Sequence, residues 1–163
     1  MQWVFCSNFR IAVEWLHMIE YEMILRLGLA LFLGALIGVE RVHAGKKAGL
    51  RTLGLVAMGS ALFIVVSEMV ISRYGYEIDP LRMAANVISG IGFLGAGMII
   101  FKGDHVSNLT TAAGVWVAAA IGVATGFGLY DIAIAVTILV IITFSLMWNV
   151  EKILKKKFGQ DVT

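Results

Sequence analysis

Between Met83 and Phe101 the chain reads MAANVISGIGFLGAGMIIF, nineteen residues without a charge. A helix of that length spans about 28 Å, enough to cross the hydrocarbon of a bilayer. At about 100° per residue, Ala85, Ser89, Gly92 and Ala96 share one stripe, with Asn86, Gly90 and Gly97 beside it. Val87, Ile88, Ile91, Leu94, Met98 and Ile99 fill the far side. In lipid, a face of small residues lets helices approach closely and gain van der Waals contact, while bulky residues suit acyl chains. The pattern predicts a transmembrane helix at the centre of a bundle. Gly90-x-Gly92-x-x-Gly95 also matches the dinucleotide fingerprint by letter. That fingerprint needs a preceding strand, a helix opening at the glycines and an acid about 20 residues on. Here the glycines lie within the helix, and residues 110–115 read TTAAGV.

The rest of the chain agrees with a membrane setting. Of 163 residues 60% are apolar and 15% charged, with eighteen glycines and one proline, which excludes an ordinary soluble domain. The expected fold is an all-α integral membrane protein, a bundle of five transmembrane helices with Gly/Ala-rich packing faces and helices 3 and 4 central. The spans fall at about 21–39, 53–72, 83–101, 109–127 and 129–148. Residues 1–20 mix Trp3, Phe5, Phe9 and Trp15 with Arg10, Glu14, His17 and Glu20. They lack the pattern of a signal peptide and suit an amphipathic segment in the membrane interface. Residues 149–163 form a basic tail. Helix 1 carries Ala30, Gly34 and Gly38 at spacings of four, and Glu22 with Arg26 has the spacing of an intrahelical ion pair. An arginine one turn inside a span must be paired or snorkel. Glu68 lies near the outer end of helix 2, where a carboxylate reaches water. Asp79 followed by Pro80 reads as a helix N-cap and first residue. Helix 4 repeats Gly114, Ala118, Gly122 and Gly126 at every fourth position, the expected partner of the small face of helix 3. Asn86, Ser89, Gly90, Gly92, Gly97, Gly114 and Gly122 are the expected contacts there, and Gly34 and Gly38 those of helix 1. Helix 5 is bulky nearly all round and is expected at the periphery.

Five spans place the termini on opposite sides. Arg41, Lys46, Lys47, Arg51, Lys102, Lys152, Lys155, Lys156 and Lys157 share one side, against Arg10, Arg73 and Arg82 on the other, with Arg26 inside a span. The basic side is therefore read as cytoplasmic, with the N-terminus external and the C-terminus cytoplasmic.

The motifs resemble the MgtC/SapB family of bacterial inner-membrane proteins. The resemblance rests on Leu33-Gly34-Ala35-Leu36-Ile37-Gly38-Val39-Glu40-Arg41, Ala48-Gly49-Leu50-Arg51-Thr52, Asp79-Pro80-x-Arg82, Val87 to Gly97, and Leu109-Thr110-Thr111-Ala112-Ala113 with Trp116 and Gly122. It departs at Ser107-Asn108, where the pattern usually has a glycine before Leu-Thr-Thr, and at Val117, where some members carry cysteine. The resemblance implies a short member without the family's soluble C-terminal domain, set in the inner membrane. It also implies roles in adaptation to low magnesium and in virulence or stress survival, with restraint of the ATP synthase reported for some members.

Two functions compete. A regulator would bind other membrane proteins through small-residue helix faces. A magnesium or other cation transporter or channel would use the external carboxylates and Asn86, since magnesium takes oxygen ligands and keeps several waters. The middle of each span offers few ionisable groups, which favours the regulator. An enzyme is not expected: Cys6 is the only cysteine, His17, His43 and His105 are isolated, and no nucleophile with its base or phosphate loop is visible. No cofactor is expected beyond Mg2+ as ligand or signal. The expected partners are the lipid bilayer, other membrane proteins and further copies of the chain, not nucleic acid. The candidate polar sites are Glu40, Arg41, Arg51, Thr110 and Thr111 on the cytoplasmic side and Glu68, Asp79 and Arg82 on the external side. Within the first group Arg51 is expected to pair with Glu40 and to hold the start of helix 4 through Thr110 or the backbone.

Overall fold

A computed structural model describes the backbone of residues 2–75, 79–103 and 105–158, and the side chains of residues 21–75, 79–103, 105–148, 150 and 153. Five helices are long and apolar enough to cross a membrane. They are α1 (Gln2–His43), α2 (Leu50–Tyr74), α3 (Pro80–Met98), α4 (Leu109–Gly126) and α5 (Tyr130–Phe158). The all-α membrane bundle read from the sequence is borne out. Helix α1 runs without a break through residues 1–20 as far as they are described, and its apolar span is Tyr21–His43. The side chains of Cys6 and His17, and the amphipathic face expected before Tyr21, lie outside the described residues.

Each chain reversal has a local cause. After α1, Gly45 takes φ 68°, which a residue without Cβ adopts freely. Gly45 N–H then donates to Val42 O at 3.0 Å and Lys46 N–H to Arg41 O at 2.9 Å. This is the paired pattern that closes a helix C-terminus, and it folds Lys46 back over the last turn. Asp79 caps α3 as expected: its Oδ1 accepts from Leu81 N–H at 2.9 Å, with Pro80 opening the helix.

Helix α3 stops at Met98 rather than Phe101. Its last residues enter a two-stranded antiparallel ribbon, β1 (Ile100–Lys102) paired with β2 (His105–Ser107), Phe101 opposite Val106. The β-branched Ile99, Ile100 and Val106 favour extended backbone. Asn108 adds a stop by donating from Nδ2 to Met98 O at 3.1 Å. Helix α5 continues past Trp148, so the start of the basic tail is helical.

Packing departs from expectation in one respect. Helix α4 is central, but its close partner is α2, not α3. Over their most apolar stretches 56% of α4 is buried, against 11% of α3 and 11% of α5. A Cβ at Gly122 would overlap Ala57 O and lie 2.8 Å from Ala57 C, while one at Gly126 would lie 2.8 Å from Ile64 Cβ. On the other side of α2, a Cβ at Gly34 would come 2.8 Å from Ala57 Cβ and one at Gly38 2.5 Å from Leu50 Cα. Helix α2 is thus gripped between the glycine ladders of α1 and α4, with Ala57 touching both. Its own Gly54, Ala57, Ser60 and Ala61 supply the matching narrow face, all of them buried.

The expected role of helix 3 is accordingly corrected. It turns Ala84, Val87 and Ile91 inward, against a core that includes Val115, Ala118 and Ala119 of α4. Asn86, Ser89, Gly90, Gly92 and Gly97 are exposed, and a Cβ added at Gly90, Gly92 or Gly97 would meet nothing within 4 Å. The physical reason is that α2 already fills the narrow side of α4. What remains for α3 is a shallower, aliphatic contact. Gly114 also meets α5 rather than α3, with Phe144 Cζ 3.3 Å from its added Cβ.

Candidate functional site

The bundle gathers polar groups at its two ends. At the acidic end Arg26, one turn inside α1, ties four helices together. Its Nη2 donates to Glu22 Oε1 at 2.8 Å and its Nη1 to Glu68 Oε2 at 2.8 Å and to Gly126 O at 2.9 Å. Tyr130 O–H donates to the same Glu22 oxygen at 3.3 Å. Gly126 ends α4, and Gly128 at φ 75° makes the turn into α5, so the planar guanidinium lies against backbone: a Cβ at Gly128 would be 3.4 Å from Nη2. The spacing of Glu22 and Arg26 announced the first pair. Glu68 reaches water, with its side chain 33% exposed, and is also the second carboxylate of the clamp. Asp79 and Arg82 stand apart from this clamp, Asp79 as the cap of α3 and Arg82 as an exposed residue of its first turn.

At the basic end the centre is Arg41. It is 4% exposed, although it lies only two residues before the end of α1. Its Cζ sits 4.2 Å over the ring of Phe144 from α5, a cation–π contact. Its Nη1 is 3.8 Å from Glu40 Oε2, within Coulombic reach but beyond hydrogen-bond length. Arg41 Nε, Arg41 Nη2 and Glu40 Oε2 are buried without a hydrogen-bond partner. Glu40 and Arg41 line a cavity of about 230 Å³ together with Lys46, Thr110, Thr143 and Phe144, with Ala44, Met147 and Trp148 completing the wall. Thr110 belongs to the first turn of α4, whose backbone N–H groups have no partner within the helix.

Of the cytoplasmic group read from the sequence, Glu40, Arg41 and Thr110 meet at this cavity. Arg51 does not. It is exposed in the first turn of α2, and no ion pair or hydrogen bond joins it to another described residue. The expected Arg51–Glu40 pair is replaced by the neighbouring Arg41, because the turn at Gly45 carries the chain away before α2 begins. Thr111 is buried in α4 and lines no part of the cavity. Lys46, Thr143 and Phe144 were missed. Their sequence signals are weak, since lysine in a loop and threonine or phenylalanine in an apolar helix are each commonplace. Among the described residues, no three His, Cys, Asp or Glu side chains gather so as to hold a metal ion.

The model of the MgtC family matches residues 27–153, which contain the basic end and most of the first span, while Glu22 and Arg26 of the acidic clamp lie just before it. The chain belongs to the MgtC family. Among curated proteins it is 46% identical over 138 residues to the putative magnesium transporter YhiD of Escherichia coli K12, covering 77% of this chain and 64% of that one. To protein SapB of Bacillus subtilis it is 40% identical over 141 residues, covering 83% and 61%. To protein MgtC of Salmonella typhimurium LT2 it is 48% identical over 125 residues, covering 77% and 52%. This MgtC-family chain therefore spans less than two thirds of the length of these relatives. No solved structure matches it.

Proposed function

We propose that this multi-pass membrane protein acts in the bacterial inner membrane as a regulator that binds other membrane proteins during growth at low magnesium. ATP synthase is the first candidate partner, on the strength of the family resemblance. The N-terminus is external, and the basic end, with the Arg41 cavity, faces the cytoplasm. The supporting observation is the outward face of α3. Asn86, Ser89, Gly90, Gly92 and Gly97 are turned to where lipid would lie, although small and polar residues in a span ordinarily serve contact with protein. Beside them runs a groove of about 520 Å³ between α2 and α3, lined by Val56, Gly59, Phe63, Asn86, Gly90 and Leu94 among others. A partner's transmembrane helix seated there would cover the Asn86 amide and recover the close contact that the glycines permit.

The test uses Gly90→Leu and Gly92→Leu, at both of which an added Cβ would meet nothing within 4 Å. Both variants are expected to insert and melt as the parent does, yet to lose growth at low magnesium and photocrosslinking to a partner from a probe at position 86. Full complementation by both would refute the reading. The second reading, magnesium transport, is favoured by the name of the Escherichia coli relative. Purified protein in liposomes decides it: magnesium flux above that of empty vesicles would replace the regulator with a transporter.

A further inference from the structure

The Arg41 cavity is unfinished as a protein structure. A guanidinium offers five N–H donors in a plane. Here the edge formed by Nε and Nη2 has no acceptor, and among the described residues the carboxylate that pairs with Arg41, that of Glu40, lies 3.8 Å from the other nitrogen. Buried charged donors are ordinarily paired, because water cannot be left behind without compensation. The Nε/Nη2 edge is also the geometry that grips two oxygens of a phosphate or carboxylate side by side.

The surroundings narrow the ligand. Lys46 is brought to the same wall by the turn at Gly45, and Thr110 presents the N-terminus of α4, eighteen residues long, whose free N–H groups favour an anion. A cation is disfavoured: among the described residues, two positive side chains share the wall with Glu40 as its one carboxylate. Yet Glu40 Oε2 is itself buried and unpartnered, so the occupant must carry a hydrogen-bond donor as well as negative oxygens. The volume, about 230 Å³, far exceeds the roughly 10–15 Å³ that one water requires. Phe144, Met147 and Trp148 give one side of the wall an apolar surface, as at the boundary between headgroups and acyl chains.

We infer that the cavity formed by the end of α1, the start of α4 and the adjoining face of α5 binds a phosphate group with a hydrogen-bond donor beside it. The phosphate oxygens lie on Arg41, Lys46 and the α4 N-terminus, and the donor lies on Glu40. Two sources have this chemistry: the headgroup of an ethanolamine or glycerol phospholipid, and free hydrogen phosphate.

Binding to the purified full chain tests the inference in two arms. In the first, delipidated protein in detergent is titrated with inorganic phosphate by calorimetry. In the second, native mass spectrometry follows retention of phosphatidylethanolamine, phosphatidylglycerol and phosphatidylcholine. Saturable phosphate binding in the first arm assigns the free ion. Retention of the ethanolamine or glycerol lipid above the choline lipid, whose nitrogen has no N–H, assigns the headgroup. In whichever arm binds, Arg41→Gln should weaken affinity by about tenfold or more, equivalent to about 1.4 kcal/mol, and Lys46→Gln severalfold. Lys46 is exposed, so that variant carries the test should Arg41→Gln fail to fold. Glu40→Gln should erase the preference for the ethanolamine over the choline lipid. The inference falls if neither phosphate nor any phospholipid binds, or if binding is indifferent to Lys46→Gln and to every Arg41 variant that folds.

Discussion

Adding one methyl group at Gly122 isolates the contact on which the bundle rests. The Cβ of Gly122→Ala would overlap Ala57 O, and it would lie 2.8 Å from Ala57 C and 2.9 Å from Ala57 Cα. These neighbours are backbone of a packed helix, so no rotamer change can relieve the overlap. Bringing the carbonyl carbon alone out to an ordinary contact of 3.4 Å requires α4 and α2 to separate by about 0.6 Å, and the closer carbonyl oxygen requires more. A gap of that order forfeits about a quarter or more of the dispersion energy along the interface, and overpacking of this kind costs about 1–3 kcal/mol. Helix α2 cannot simply retreat, because Ala57 is held on its other side by Gly34. The control is Gly92→Ala, where an added Cβ meets nothing within 4 Å. There the exchange should be neutral or stabilising by up to about 1 kcal/mol, since alanine is the better helix former. Thermal unfolding of both variants in the same detergent, read by circular dichroism, measures the difference. Gly122→Ala should melt several degrees below the parent and Gly92→Ala at or above it. Equal melting temperatures, or a larger loss at Gly92, would refute the assignment of α2 as the partner of α4.

Removing the clamp cation by Arg26→Gln should destabilise by about 2–3 kcal/mol, below the roughly 3–5 kcal/mol of a fully buried broken pair, because Glu22 and Glu68 keep 54% and 33% side-chain exposure. A double-mutant cycle with Glu68→Gln should show coupling of at least about 0.5 kcal/mol in detergent unfolding; strict additivity would disprove the contact. With Arg51 exposed and unpaired among the described residues, Arg51→Lys should sustain growth at low magnesium as well as the parent chain does. A loss as complete as that of Arg51→Ala would show that its fork is used. For orientation, a cysteine at position 82 should react with an impermeant maleimide outside the cell while one at position 47 stays protected, and the opposite pattern would reverse every assignment of side.

The apolar spans were legible because the constraint that makes them is local. A backbone in hydrocarbon must satisfy its own hydrogen bonds, so each span needs an unbroken helical length of apolar residues. The same holds for the cap at Asp79, which lies two residues from the N–H it accepts, and for the pair of Glu22 and Arg26, one turn apart. The end of α3 was misjudged by a few residues because Ile99, Ile100 and Phe101 are as apolar as the helix before them. Hydrophobicity alone does not separate a helix from a short ribbon in such a run.

What the sequence by itself determined is which residues lie in the membrane, where charge gathers at its two ends, and which helix faces are narrow. Tertiary structure decided which narrow face meets which. Gly122 could have met α3 or α2 with equal propriety, and the choice fell to α2 because its Gly54, Ala57, Ser60 and Ala61 admit the ladders of α1 and α4 at once. The small face of α3 was thereby left outside. The same is true of the arginines. Arg26, Arg41 and Arg51 are one letter in the sequence, yet the first is a clamp between four helices, the second is buried with an unpaired edge over a cavity, and the third is exposed. Their difference lies in contacts spanning as much as a hundred residues of chain, as from Arg26 to Gly126. Such contacts follow from how the helices dock, a choice made by close packing across the whole bundle rather than by any residue's neighbours in sequence.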